Sequence, residues 1–341
     1  MRDNHMTTIK DVAKAAGVSS ATVSRIINNK GEASPETIAR VKRIIKELNY
    51  KPNAIAKSLS KRHSDLIALL IPTLNNPFFP ELVKEIESAA NESGYNIYLC
   101  NSDDKRSKVK YYLDSMVDHY VSGAIINSLH VDKEDLQMLE ERGIKTITID
   151  RANFEHPYSA VTVDHQLGAE HAVTHLIEEG GCRKIVFISG PKIEKSAKDR
   201  LRGFNHAIES THHPIETFTV YGDFEMESGY EQIRVLLQKG VHFDGIFSSN
   251  DAMAIGAIRA CHEAGVKIPE DIKIIGYDNV SFSSYTAPPL STIDQQKREI
   301  GKVAVNELVR LIQGQNESPK HHQLKPKLIT RNSTTGGSED V

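Results

Sequence analysis

The 341-residue sequence predicts two folds in series: an all-α helix-turn-helix head, then an α/β body of two lobes with parallel sheets flanked by helices. Three observations predict it. The first fifty residues hold three stretches of helical apolar spacing and no β-rich run. From residue 65 onward, short β-branched runs alternate with amphipathic ones. Charge also changes sign along the chain: residues 1–64 carry 13 Lys+Arg against 5 Asp+Glu, whereas the rest carries 29 against 40, within a net charge of −3. A basic head on an acidic body points to an anionic partner for the head alone.

In the head, Ile9, Val12, Ala13 and Ala16 recur at helical spacing and Gly17 stops the helix. Ser19 stands where an N-cap belongs, opening "SATVSRIINN" with Val23, Ile26 and Ile27 inward. Ser20, Ala21, Ser24 and Arg25 then face outward. A third helix, "SPETIARVKRIIKELNY", is capped by Ser34, has Pro35 at its first position, and turns Ile38, Val41, Ile45 and Leu48 inward. Two helices joined by a Gly-containing turn and braced by a third form the helix-turn-helix plan, whose second helix enters the major groove. Next, Pro52 breaks the third helix and Asn53 is able to cap a short turn, "AIAKSL". That segment is too short to hold as a helix alone. It reads either as a linker or as a hinge that folds against DNA, with Lys57 and Lys61 near phosphates and Leu59 as a minor-groove wedge.

"TIKDVAKAAGVSSATVSRIIN" followed by "LNYKPNAIAKSL" resembles the DNA-binding head and hinge of the LacI/GalR family of bacterial repressors, and the likeness runs to about Arg331. The resemblance implies operator contacts from Thr8, Ser19, Ser20, Ala21, Thr22, Ser24, Arg25, Asn28, Asn53, Ala56, Lys57 and Leu59. It also implies a homodimer on an inverted-repeat duplex and a periplasmic-binding-protein-like body. The divisions expected are a head at 6–52, a hinge at 53–64, a body at 65–331 and a disordered tail at 332–341. Lobe 1 takes about 65–163 and 295–324, and lobe 2 about 164–294 and 325–331. "LSTIDQQKREIGKVAVNELVRLIQG" reads as a late strand and helix returning to the first lobe.

Within the body, "DLIALLIPT", "NIYLCN", "GAIINS", "KTITID", "KIVFISG", "DGIFSSN" and "IKIIGYD" are the strand candidates. Ligands of open α/β sheets sit outside the carboxyl ends of strands. The residues placed there are Asn76, Phe78 and Phe79 in "LNNPFFPEL", then Asp150, Arg151, Arg200, Phe224, Asn250, Asp278 and Gln295. Aromatic faces suit the C–H faces of a sugar ring, carboxylates take protons from its hydroxyls, and Arg and amide groups donate to them. Singly, each has a plainer reading: Phe78 and Phe79 as core, Asp150 and Arg151 as a surface ion pair, Asp278 as a helix cap. Together, they resemble loop by loop the pocket of periplasmic ribose-binding proteins, which implies ribose or a related pentose as effector. A relative answering to another sugar or a purine, and a stand-alone sugar-binding protein, are the alternatives.

No P-loop, GxSxG or HExxH pattern is present, so no enzyme, cofactor or metal site is expected. Cys100, Cys182 and Cys261 read as buried, reduced thiols. With no apolar run of membrane-spanning length and no apolar leader, a cytoplasmic regulator is expected. Glu81, Glu85 and Glu87 read as the solvated edge of a helix.

Overall fold

The computed structural model describes residues 7–27, 33–50, 64–150, 156–315 and 318–335. The chain divides into two compact units, Met1–Ser64 and Asp65–Val341.

The first unit holds α1 (Ile9–Ala16), α2 (Ser20–Ile27) and α3 (Pro35–Glu47). Thr8 and Asp11 close a capping box on α1, and Gly17 ends it at φ 63, a left-handed conformation that glycine adopts without a Cβ clash. The Ser19 hydroxyl accepts the Thr22 N–H at 3.1 Å, and that of Ser34 accepts the Thr37 N–H at 3.3 Å. Val12, Ala13, Ala16, Val23, Ile26, Val41 and Ile44 form the core. On α3 the buried stripe is Val41 and Ile44, while Leu48 is 37% exposed, contrary to its expected inward position. The helix ends at Glu47, so Leu48 no longer follows the helical stripe.

The second unit contains two parallel sheets. In the first, β1 (Leu66–Ile71), β2 (Asn96–Asn101), β3 (Gly123–Ile126), β4 (Lys145–Ile149), β5 (Ser159–Val163) and β11 (His321–Leu324) stand in the order β2-β1-β3-β4-β5-β11. In the second, β6 (Lys184–Ser189), β7 (Glu216–Tyr221), β8 (Gly245–Ser248) and β9 (Lys273–Ile275) stand in the order β7-β6-β8-β9. Each order reverses direction, at β1/β3 and at β6/β8, the switch point where doubly wound sheets open a crevice. Strands such as β1 and β3 are apolar throughout because helices cover both faces.

The helices that matter for the cavity are α4 (Phe78–Glu92), α5 (Arg106–Asp118), α6 (Lys133–Glu141), α7 (His165–Thr174), α8 (Lys195–Ser210), α9 (Met226–Gln238), α10 (Asp251–Glu263) and α11 (Lys297–Ile312). α11 crosses back to pack Ile300, Ala304, Val305 and Leu308 against Ile67, Leu69 and Leu82 of the first lobe. The strand before it stays within the expected bounds of the second lobe, 164–294, and does not return with the helix. β10 (Thr292–Asp294) pairs antiparallel with β12 (Lys327–Ile329), and Ile293 lies in the second lobe's core, so only the helix returns.

The expected disordered tail is corrected at its start, where residues 332–335 are packed. Ser333 donates to the Ile274 carbonyl at 2.6 Å and accepts the Ser291 N–H at 2.8 Å, and Thr334 meets His175 Nε2 at 2.8 Å. These hydroxyls satisfy buried backbone and imidazole groups, a role that polar composition alone does not reveal. All three cysteines are free and buried, and burial pushes each thiol up to about 12.

Candidate ligand cavity and nucleic-acid interface

A cavity of about 450 Å³ opens at the carboxyl ends of both sheets, a size usual for small-molecule sites. It brings together nine of the ten residues expected there: Asn76, Phe78, Phe79, Asp150, Arg200, Phe224, Asn250, Asp278 and Gln295. The tenth, Arg151, lies outside the described residues.

On the first lobe, Asn76 Oδ1 accepts the Phe78 N–H at 3.0 Å at the start of α4. Phe78 and Phe79 occupy the first turn of α4 with centroids 5.3 Å apart and planes at 82°. Each is under a tenth exposed and belongs to the first lobe's core cluster, as their plainer reading had it. Both nonetheless line the cavity, each presenting only a small accessible area to it. Asp150 follows β4 at φ 49, and its Oδ1 accepts the Val163 N–H at 2.8 Å.

On the second lobe, Arg200 is buried in α8. Its Nη1 donates to the Ser249 carbonyl at 2.6 Å, its guanidinium lies 3.9 Å from the Tyr277 ring centre, and Nη2 stands 4.0 Å from Asp278 Oδ1. Asn250 caps α10 by accepting the Met253 N–H at 2.9 Å, while its amide donates to the Phe224 carbonyl at 2.8 Å. One side chain thus starts a helix and fixes an aromatic wall. Phe224 is held at φ 72 and Asp278 at φ 120, backbone states costly for side-chain-bearing residues. Gln295 donates to Asp278. Burial raises the Asp278 carboxyl to about 6 against the opposing pull of Arg200 and Lys297. Its neighbour Asp251 is pushed well above the usual carboxylate range by burial and by the Asp278 charge, although it accepts from the Thr292 hydroxyl and from the Val280 N–H at 2.9 Å.

Several participants escaped the sequence reading. Asn127, directly after β3, lines the cavity with a buried Oδ1 that has no partner among the described residues. Its strand-end position was the available signal. His165, at the start of α7, lines it as well. Glu81 is no solvated edge: it accepts the Ser281 N–H at 2.7 Å and pairs with Lys297 Nζ at 3.3 Å, tying α4 to the loop beyond β9. Lys297 in turn donates to the Asp278 and Asn279 carbonyls, each at 2.7 Å.

In the head, Ala21 and Arg25 are exposed on α2, with Ser20, Thr22 and Ser24 part-exposed beside them. Thr8 and Ser19 serve as caps, which fixes the starts of α1 and α2. Asn28, Asn53, Ala56, Lys57, Leu59 and Lys61 lie outside the described residues.

Residues 8–53 match the model for bacterial regulatory proteins of the lacI family, and residues 173–334 match that for a periplasmic binding protein-like domain. The ribose operon repressor of Halalkalibacterium halodurans is 37% identical over 97% of this chain and 98% of its own length. The chain belongs to the LacI family. It is a transcriptional repressor of that family rather than an enzyme. The HTH-type transcriptional repressor PurR of Edwardsiella ictaluri is 36% identical, covering 97% of this chain and 98% of that one. Among solved structures, the lac repressor dimer bound to operator and the anti-inducer ONPF superposes with a TM-score of 0.86 at 30% identity, over 96% of this chain and 99% of that one. Among the described residues of this LacI-family repressor, no helix is long and apolar enough to cross a membrane.

Proposed function

We propose that this repressor controls carbohydrate utilisation in the cytoplasm, binding an inverted-repeat operator as a homodimer and leaving it when ribose or a close pentose fills the cavity. One observation carries the reading: the aromatic, carboxylate, guanidinium and amide groups expected for a sugar converge on a single cavity. The similarity to a ribose operon repressor supports the same effector. Seven carboxylates line the cavity (Asp103, Asp104, Asp150, Glu194, Asp223, Glu225 and Asp278) against Lys105 and Arg200 as described cations. That excess favours a neutral sugar over its phosphate ester.

Release by the sugar, rather than recruitment, follows the family resemblance for sugar repressors. A purine corepressor is the second reading, favoured by the comparable identity to PurR. A calorimetric and thermal-shift panel of pentoses, hexoses and purine bases separates the two. A specific ligand at 100 times its Kd adds about 2.7 kcal/mol of stability. Footprinting then reads whether the same ligand clears or strengthens a protected palindrome. A response to purines alone would overturn the sugar reading.

A further inference from the structure

His165 lies where the chain crosses from the first lobe to the second, immediately after β5, and only about a twentieth of it is exposed. Its Nδ1 stands 3.3 Å from Arg200 Nη2 and 3.3 Å from the Tyr277 hydroxyl. A guanidinium N–H only donates, so Nδ1 must offer its lone pair. The neutral ring therefore carries its proton on Nε2. Nε2 is 3.5 Å from Asp150 Oδ1, too far for a well-formed hydrogen bond, and has no closer partner among the described residues. The charged and titratable groups facing the ring are Asp150 from the end of β4, Arg200 and Asp199 from α8, and Tyr277 beyond β9. Burial, aided by Arg200, lowers the imidazole below its usual value despite Asp150, which keeps the ring neutral at physiological pH.

We propose that His165 is a positioning residue for the effector: as the Nε2–H tautomer it joins Arg200 of the second lobe to Asp150 of the first by a one-directional donor chain, Arg200 to His165 to Asp150. Sugar held between Asp150 and Arg200 draws the loose Nε2···Oδ1 contact into a full hydrogen bond, so the two lobes' ligand groups are read as one unit. This rests on the sugar reading given above.

Two variants separate the halves of the chain. His165→Asn keeps an acceptor near the Nδ1 position but has no donor reaching Asp150; His165→Gln reaches Asp150 but leaves Arg200 without its acceptor. Each should weaken ribose binding about tenfold, the loss of one hydrogen bond. The His165→Asn/Asp150→Asn double variant should lose about tenfold less than the product of the single losses, the coupling expected of two side chains in direct contact. Imidazole ¹⁵N shifts of the unliganded full chain, assigned by the resonance missing in either variant, should show Nε2 protonated and Nδ1 bare. Wild-type ribose affinity in both variants, strict additivity with Asp150→Asn, or an Nδ1–H tautomer would each overturn the proposal. Failure of the wild-type chain to bind ribose would instead strike the effector reading, and the tautomer measurement still decides the Arg200-to-His165 polarity.

Discussion

At Asp278 the fold places a buried, strained acid on the wall of the cavity. Its carboxylate is buried, strained at φ 120 and held near a pKa of about 6, above its ordinary 3.8. A native state that keeps its proton longer than the unfolded chain loses stability as pH rises through the interval between those values, and is level above it. Relative to Asp278→Asn, the unliganded wild type should therefore lose stability on the order of 1 kcal/mol between pH 5 and pH 7.5, measured by urea unfolding at both pH values. Ribose should show the opposite preference, because its hydroxyls donate to the ionised carboxylate. Wild-type affinity should fall about tenfold from pH 7.5 to pH 5, whereas the Asn variant should bind weakly and without that slope. An affinity that is level across this range in the wild type would remove Asp278 from direct contact with the sugar.

At the scale of elements, the site depends on loops placed by strand ends, and on small residues that let those loops close on one another. A Cβ on Gly190, after β6, would come within 2.2 Å of the Phe224 ring. Gly190→Ala should displace that ring and weaken effector binding roughly tenfold without touching a polar group, with an unliganded unfolding free energy within about 2 kcal/mol of wild type. Unchanged sugar affinity would show that Phe224 is no part of the ligand surface. In the head, the matching element is α2, where Arg25 is exposed beside the small side chains of Ser20 and Ala21. Arg25→Ala should relax base preference at one position of each half-site by about 1–3 kcal/mol in a binding selection; an equal loss over all sequences would assign it to phosphate. Much of this placement was legible in the sequence, because strand period and strand-end loops are local signals: "LNNPFFPEL" and "GYDN" mark their own positions. Glu81, His165 and the Ser333–Thr334 pair were not legible. Their roles are set by partners 200, 35 and 59 residues away in sequence, Ser281, Arg200 and Ile274 among them. Neither helical period nor composition encodes a partner so distant.

For the whole molecule, the division of charge predicts that its two binding functions answer differently to salt. The basic surplus lies in residues 1–64, and the cavity belongs to the second unit. Counterion release makes operator affinity fall by about 10³–10⁵ between 50 and 200 mM salt for 6–10 phosphate contacts. A neutral sugar in a buried cavity should bind almost equally at both salts. Coupling between the sites is reciprocal by thermodynamic necessity. If ribose weakens operator binding by some factor, operator must weaken ribose binding by the same factor, expected at about 5–150-fold. Fluorescence anisotropy on labelled operator with and without ribose, and calorimetry of ribose with and without operator, measure the two factors independently at one salt. Equal factors would establish that the sugar acts through the DNA-binding equilibrium of this chain. A sugar that binds tightly yet leaves operator affinity unchanged at both salts would separate the cavity from repression altogether.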